Sequence, residues 1–313
     1  MKENFLIQYP ALFQGEHNLK KTKNYFEGWY FKQVSPEHSI AFIPGICIEA
    51  GKKSAFIQII TNTQSYYIPF DFSDFHFSHV PFFIEIGENY FSLEEIRMHI
   101  HTPNLSIDGQ VHYQERQTIQ KTPLCPNIMG PFSYLPFMEC HHAILSMNHL
   151  VDGYFNLNDT TLIFEKEKGY IEKDWGSSFP QSYIWAQGNY FTKPSTSFFV
   201  SIAHIPMGPT AFEGFICVLI VDGKEYRFTT YNGSKILNFK KSKTDINLTL
   251  QKGEEQLQIF SNNQHAFPLL APKCGKMSTS ISESLDAKLH LVLSKQGNVL
   301  YEDDGSYCGL EIV

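Results

Sequence analysis

Two short runs set ionisable groups among large rings: Glu27-Gly28-Trp29-Tyr30-Phe31-Lys32 and Tyr170-Ile171-Glu172-Lys173-Asp174-Trp175. On a strand, Glu172 and Asp174 share one face while Lys173 and Trp175 share the other, so each face sets charge beside an aromatic ring. Burial among aromatic walls raises a carboxyl pKa, and a carboxyl group kept protonated can deliver a proton. The competing reading is a solvated strand edge or a structural ion pair.

Other candidates are less organised. His99 and His101 could lie on one strand face as metal ligands, but no third ligand follows at a diagnostic spacing, so no metal is expected. His141-His142 adjoins Glu139 and Cys140, yet adjacent strand side chains point oppositely and chelate poorly. Phe75-His76-Phe77-Ser78-His79 reads as packing plus surface. The chain has no G-x-S-x-G elbow, Walker A loop or G-x-G-x-x-G fingerprint, which counts against hydrolase, nucleotide and dinucleotide chemistry.

The elements that must position these groups read as β-strands. Of 313 residues 42% are hydrophobic, enough for a sizeable core, and the 27 Phe and 16 Tyr are strand formers. Strands are expected over 25–34, 39–46, 54–61, 65–72, 82–86, 94–101, 105–115, 140–147, 150–157, 161–166 and 169–175. Asp108-Gly109 reads as a tight hairpin turn. Helical periodicity is hard to find, with an ambiguous exception over 92–98. Residues 122–136 hold four prolines and are expected to form a long loop. Short, regularly punctuated strands indicate a sandwich or barrel.

The halves resemble one another in order. Phe26-Glu27-Gly28-Trp29-Tyr30-Phe31-Lys32 aligns with Ala186-Gln187-Gly188-Asn189-Tyr190-Phe191-Thr192. The strands after them end at Pro44 and Pro206, and Leu162-Ile163-Phe164-Glu165 matches Val299-Leu300-Tyr301-Glu302. The domains are therefore placed at 1–176 and 177–313. Gly28/Gly188, Tyr30/Tyr190 and Phe31/Phe191 occur in both copies and read as architecture. Glu27, Trp29 and Lys32 occur in the first copy only. If Asp174 aligns with Glu311, Glu172 and Lys173 are also specific to the first copy.

The formal charge is −7 with no Lys/Arg block, which argues against nucleic acid. Residues 1–6 lack leader character, and no apolar run is long enough for a membrane span. Cys47, Cys125, Cys140, Cys217, Cys274 and Cys308 contain no C-x-x-C spacing and read as mostly buried free thiols. A cytoplasmic protein is expected.

Tyr25-Phe26-Glu27-Gly28-Trp29-Tyr30-Phe31-Lys32 resembles the opening signature of the tocopherol cyclase family. Gly169-Tyr170-Ile171-Glu172-Lys173-Asp174-Trp175-Gly176, with Phe179-Pro180 and Trp185-Ala186-Gln187, resembles its central signature, and Cys308-Gly309-Leu310-Glu311 its end. The resemblance implies an all-β fold of two tandem lipocalin-like antiparallel barrels, and cyclisation of a prenylated quinol to a chromanol. Asp174, Glu172 or Glu27 would then be the general acid. Trp29, Tyr30, Trp175 and Trp185 would line an apolar chamber, with Lys32, Lys173 and Gln187 contacting substrate. The reaction is a net isomerisation, so no cofactor is expected. The partner would be a prenyl quinol, isoprenoid or lipid, collected through peripheral membrane contact. A non-catalytic lipid binder, or a cyclase or hydratase of another polyene, would use the same fold.

Overall fold

The computed structural model describes residues 7–17, 23–136, 138–207, 210–263 and 265–313, the side chains at 206, 207 and 210 excepted. Residues 1–6, read above for leader character, lie outside them. The chain divides into two units, Met1–Phe179 with Leu269–Ser280, and Pro180–Pro268 with Ile281–Val313.

The first unit carries β1 (Tyr25–Val34), β2 (Ser39–Glu49), β3 (Lys52–Thr61), β4 (Ser65–Asp71), β5 (Phe75–His79), β6 (Phe82–Ile86), β7 (Asn89–Ser92), β8 (Glu95–Thr102), β9 (Leu105–Gln117), β10 (Cys140–Leu157) and β11 (Thr160–Gly176). Each strand pairs with its sequence neighbour and β11 returns to β1. The ladder is interrupted between β4 and β5, which the 3-10 turn Phe72–Asp74 joins. The result is a nearly closed, lipocalin-like antiparallel barrel.

The rest of the chain carries β12 (Tyr183–Gly188), β13 (Ser197–Met207), β14 (Thr210–Val221), β15 (Lys224–Thr229), β16 (Lys235–Lys241), β17 (Asp245–Lys252), β18 (Glu255–Asn262), β19 (Phe267–Lys273), β20 (Lys276–Lys295) and β21 (Asn298–Ile312); most of β19 and the start of β20 group with the first unit, and the remainder forms the second. Its strand path repeats the first: β12 to β15 form a meander, and β21 returns to β12. A 3-10 turn, Thr230–Asn232, spans the break between β15 and β16. The two units are tandem lipocalin-like barrels with one circular strand order, as a duplication requires.

Strand alternation fills the interiors with side chains. On β8, Ile96, Met98 and Ile100 join the first core while Arg97, His99 and His101 face out. Phe42 meets Phe155 at 4.9 Å and Phe31 meets Phe91 at 5.6 Å within that core. Each such side chain, fully buried, contributes about 1.5–3 kcal/mol. In the second unit Phe198, Val200, Leu248, Leu257 and Leu291 do the same.

Several expectations need correction. Asp108-Gly109 is no turn: it lies inside β9, opposite Asn156 and Phe155 of β10. Gly109 has φ +143, and a Cβ there would run into Tyr154 O, so glycine serves close strand approach. The 92–98 stretch is no helix: it holds the end of β7, a bend at Leu93-Glu94 and the start of β8, and Phe75–His79, outside the expected strands, is β5. The proline-rich loop is a loop as expected, with a 3-10 turn at Gly130–Tyr134 and with Asn127, Ile128, Met129 and Ser133 buried. All six cysteines are free, and Cys47, Cys217 and Cys308 are buried. No helix among the described residues is long and apolar enough to cross a membrane.

Candidate active site

The β1–β11 ladder pairs Glu27 with Trp175, Trp29 with Lys173, Gly28 with Asp174 and Tyr30 with Glu172. Residues directly opposite share a face. Trp29, Ile171 and Trp175 belong to the barrel core, so Glu27 and Lys173 point inward as well. Tyr30, Tyr170, Glu172 and Asp174 occupy the reverse face. The signature residues therefore form two clusters, back to back through one pair of strands.

The inward cluster is an ion pair that holds the N-terminal segment. Lys173 Nζ lies 2.5 Å from Glu27 Oε1, and both side chains are wholly buried. Glu27 also accepts from the amides of Gln14 (2.7 Å) and Gly15 (2.9 Å) and from Tyr25 OH (2.6 Å). Lys173 donates to Leu12 O, and Trp29 Nε1 donates to Ala11 O at 2.8 Å. The ammonium stands 4.6 Å from the Trp29 ring and 5.1 Å from the Trp175 ring, within cation–π range. Burial pushes Lys173 down, Glu27 draws it back, and it stands at about 8. With every oxygen contact a donor, Glu27 acts as a structural acceptor, and the general-acid role considered for it does not fit. Phe13 completes the plug, its ring 4.8 Å from Phe77 and 5.3 Å from Phe75.

The outward cluster suits proton chemistry. Asp174 lies opposite His142 of β10, and His142 Nδ1 is 2.9 Å from Asp174 Oδ1 while its Nε2 is 3.6 Å from Glu172 Oε2. Tyr170 OH donates to Glu172 Oε2 at 2.6 Å, and the Tyr30 ring meets Tyr170 edge-on at 6.4 Å. Glu172 is 5% exposed although it lies on the outer side of the barrel wall. The proline-rich loop supplies part of the cover, since Met129 Sδ accepts from the His142 amide. Burial works against a charged His142, but Asp174 and then Glu172 more than reverse this, raising it to about 9. Burial, joined by the nearby Asp174 and Glu172, likewise pushes the Cys140 thiol well up.

This arrangement changes the expected division of labour. Trp29 and Trp175 cannot line a pocket with Glu172 and Asp174, because strand alternation sends them to opposite faces. Lys32 is fully buried opposite Tyr170, on the side of the acids. Trp185 and Gln187 belong to the second unit, buried on β12 opposite Glu311 and Gly309. That register also revises the copy alignment: with Gly28 matched to Gly188, Trp175 corresponds to Gly309 and Asp174 to Cys308, not Glu311. His142, weighed from the sequence only as half of a chelating pair, and Tyr170 are members of the cluster to which sequence reasoning gave no role. Tyr170 lay within the signature, but the His142–Asp174 pairing is visible only once β10 meets β11.

Among the described residues, two sets of side chains could hold a cation. The ligand atoms of His142, Glu172 and Asp174 lie within 4.8 Å of one another, as do those of His99, His101 and Asp108.

Comparison with known proteins adds a name for the family. The model described as Tocopherol cyclase-like matches residues 106–313. The probable chloroplastic tocopherol cyclase of Oryza sativa subsp. japonica is 28% identical over 109 residues, 34% of this chain and 23% of that protein. Chloroplastic tocopherol cyclase of Zea mays is 27% identical over 109 residues, with the same shares. The match thus spans less than a quarter of the length of these curated relatives. The crystal structure of CghA with Sch210972 has a TM-score of 0.59 at 10% identity, covering 93% of this chain and 88% of that one, which establishes likeness of fold alone. The family match takes in more than half of the residues, including all of His142, Tyr170, Glu172 and Asp174, and the chain belongs to the tocopherol cyclase-like family.

Proposed function

We propose that the protein is a cyclase of the tocopherol cyclase type, closing a prenylated quinol or related isoprenoid to a chromanol-type ring by acid catalysis. The observation that carries the reading is the buried Glu172, bonded to Tyr170 and flanked by His142 and Asp174. Burial in a low-dielectric setting disfavours the ionised form of a carboxyl group, which is the physical basis for a proton held at this cluster.

Glu172 or Asp174 then delivers this proton to the trisubstituted alkene. The phenol oxygen captures the tertiary cation, and its own proton returns to the carboxylate, so no atom is gained or lost. A face of Tyr30 or Tyr170 turned toward the developing charge would contribute roughly 0.5–2 kcal/mol. Lys32 lies on the same face and is the candidate to orient the quinol oxygen. Family membership supports a cyclase or hydratase type of activity, and the prenyl quinol is the substrate class we put forward.

The test is turnover of a prenylated benzoquinol by purified protein, with Glu172→Gln and Asp174→Asn made separately. Loss of a general acid lowers kcat by about 10²–10⁴-fold. Unchanged turnover in both variants rejects the assignment. Mass spectrometry of molecules retained through purification separates the readings further: retained lipid without turnover indicates a binder, and a different polyene converted to product indicates another cyclase or hydratase.

A further inference from the structure

We infer that the outer wall of the first barrel carries a binding site for a first-row divalent transition ion of the Zn²⁺ class, formed by His99, His101 and Asp108. His99 and His101 are two apart on β8 and project from one face, while Asp108 lies directly opposite His99 on β9. The third ligand absent from local spacing is thus supplied across the hairpin. His99 Nδ1 lies 2.5 Å from Asp108 Oδ1, and His101 Nε2 lies 2.9 Å from Asp108 Oδ2. Tetrahedral bonds of about 2.0–2.1 Å place ligand atoms roughly 3.3 Å apart. Each histidine–aspartate pair therefore needs to open by less than about 1 Å, the ligand atoms of the whole set lie within 4.8 Å of one another, and the three side chains are partly solvent-exposed.

The surroundings are those of a metal site rather than of a chance ion pair. A ligating histidine generally commits its second ring nitrogen to an oriented partner. Here His99 Nε2 faces Glu88 Oε2 at 3.3 Å, and His101 Nδ1 meets Ser106 Oγ at 2.9 Å. Each ring thus turns one nitrogen to Asp108 and has the other engaged. The His99 backbone amide is pinned as well, donating to Asn89 Oδ1 at 2.9 Å. Two imidazoles and one carboxylate suit Zn²⁺, Cu²⁺ or Ni²⁺ and disfavour Ca²⁺ and Mg²⁺, which take oxygen ligands. Three protein ligands leave a coordination position for water or for a donor from another molecule. The ion would staple β8 to β9.

The test uses untagged full-length protein, stripped with chelator and titrated with Zn²⁺ by calorimetry, and with Co²⁺ followed by its visible d–d bands. One equivalent is expected to bind, with tetrahedral-type Co²⁺ absorption and a rise in Tm. His101→Asn and Asp108→Asn should each weaken Zn²⁺ binding by more than about 100-fold, beyond what outer-partner changes cost, and abolish the Tm rise. Ser106→Ala should weaken it by roughly 10–100-fold. His290→Asn is the control, since His290 pairs with Asp304 and Glu302 without a second histidine. Binding must also weaken as pH falls and the imidazoles protonate. Absence of binding to the wild type, or equal binding by wild type and His101→Asn at unchanged metal-free Tm, overturns the site.

Discussion

His141 and His142 are consecutive residues in different charge states near neutral pH. Alternation along β10 stacks His141 on Trp175, rings 5.2 Å apart and 9° from parallel, and sends His142 to Asp174 on the other face. Burial alone pushes His141 down to about 4. Burial also works against His142, but the two carboxylates carry it up to about 9. A single peptide step thus separates a neutral base on the inner face from a cation on the outer one.

The pH dependence of stability follows, with opposite signs for the two rings. An unfolded histidine titrates near 6.5. His142 binds its proton more tightly when folded, so its contribution is complete below about pH 6.5 and is lost as pH rises through about 9. His141 prefers to be neutral when folded, so its contribution is complete above about pH 6.5 and is lost as pH falls through about 4. His149, buried and held near 3, adds to the acid limb. Urea midpoints measured from pH 4 to 10 should peak near neutrality. His142→Gln should remove the loss between about pH 6.5 and 9, which Lys173, lowered to about 8, opposes from about pH 8 upward, and leave the acid limb in place, whereas His141→Phe should shorten only the acid limb.

The outward cluster can be tested without any substrate. Asp174 raises His142 more than Glu172 does. By NMR titration of the His142 ring, Asp174→Asn should lower its pKa further than Glu172→Gln, and both should lower it. Loss of either carboxylate without movement of the His142 titration would mean that the ring is not held by these two groups.

Much of this was legible from residue patterning. Period-two alternation located most strands, β1 and β6 with their full bounds, and order-preserving matches revealed the duplication because a repeated circular topology demands repeated strand signals. The placing of Glu172 and Asp174 on one face and Lys173 and Trp175 on the other also followed from alternation. What alternation does not reveal is which face is inside. Trp29 and Trp175 belong to the interior and the acids to the outside, because β11 is buried on both sides and its apolar content is no guide. Cross-strand partners were equally hidden: His142 meets Asp174, and Asp108 meets His99, through a register set by the whole sheet. Asp108-Gly109 misled for a related reason, since glycine serves close packing on β10 as readily as a turn.

Glu27 and Lys173 form a buried ion pair whose value lies in what it holds. Removing one partner leaves the other charge buried, so Glu27→Gln and Lys173→Met should each cost about 3–5 kcal/mol in urea denaturation. The double variant should cost clearly less than the sum, because the second change relieves the charge the first strands. Both single variants should also loosen the segment bearing Leu12, Gln14 and Gly15, seen as new limited-proteolysis cuts between Tyr9 and His17. Additive costs with that segment still protected would mean the pair does not anchor it.

The turn joining β19 and β20 groups with the first unit, and bonds to one side chain and to backbone seat it there. Gln58 on β3 answers Leu270 in both directions, accepting from its amide at 2.8 Å and donating to its carbonyl at 3.0 Å. Gly275 donates to Ser177 O at 2.7 Å, and Phe179 donates to Pro272 O at 3.0 Å. Gly275 has φ +81, and a Cβ there would strike Ile48 O and the Tyr25 amide. Gly297 supplies the matched comparison, because its φ of +79 is the same but open space surrounds it. Gly297→Ala should therefore cost only the left-handed strain of about 1–2 kcal/mol. Gly275→Ala must pay the same strain and also push the turn off β1 and β2, so its urea midpoint should fall further. Once the turn is displaced Gln58 has lost its partner, and adding Gln58→Leu to Gly275→Ala should then cost less than Gln58→Leu does alone. Equal effects of the two alanines would show that the seat yields freely and that the turn contributes nothing to the first barrel.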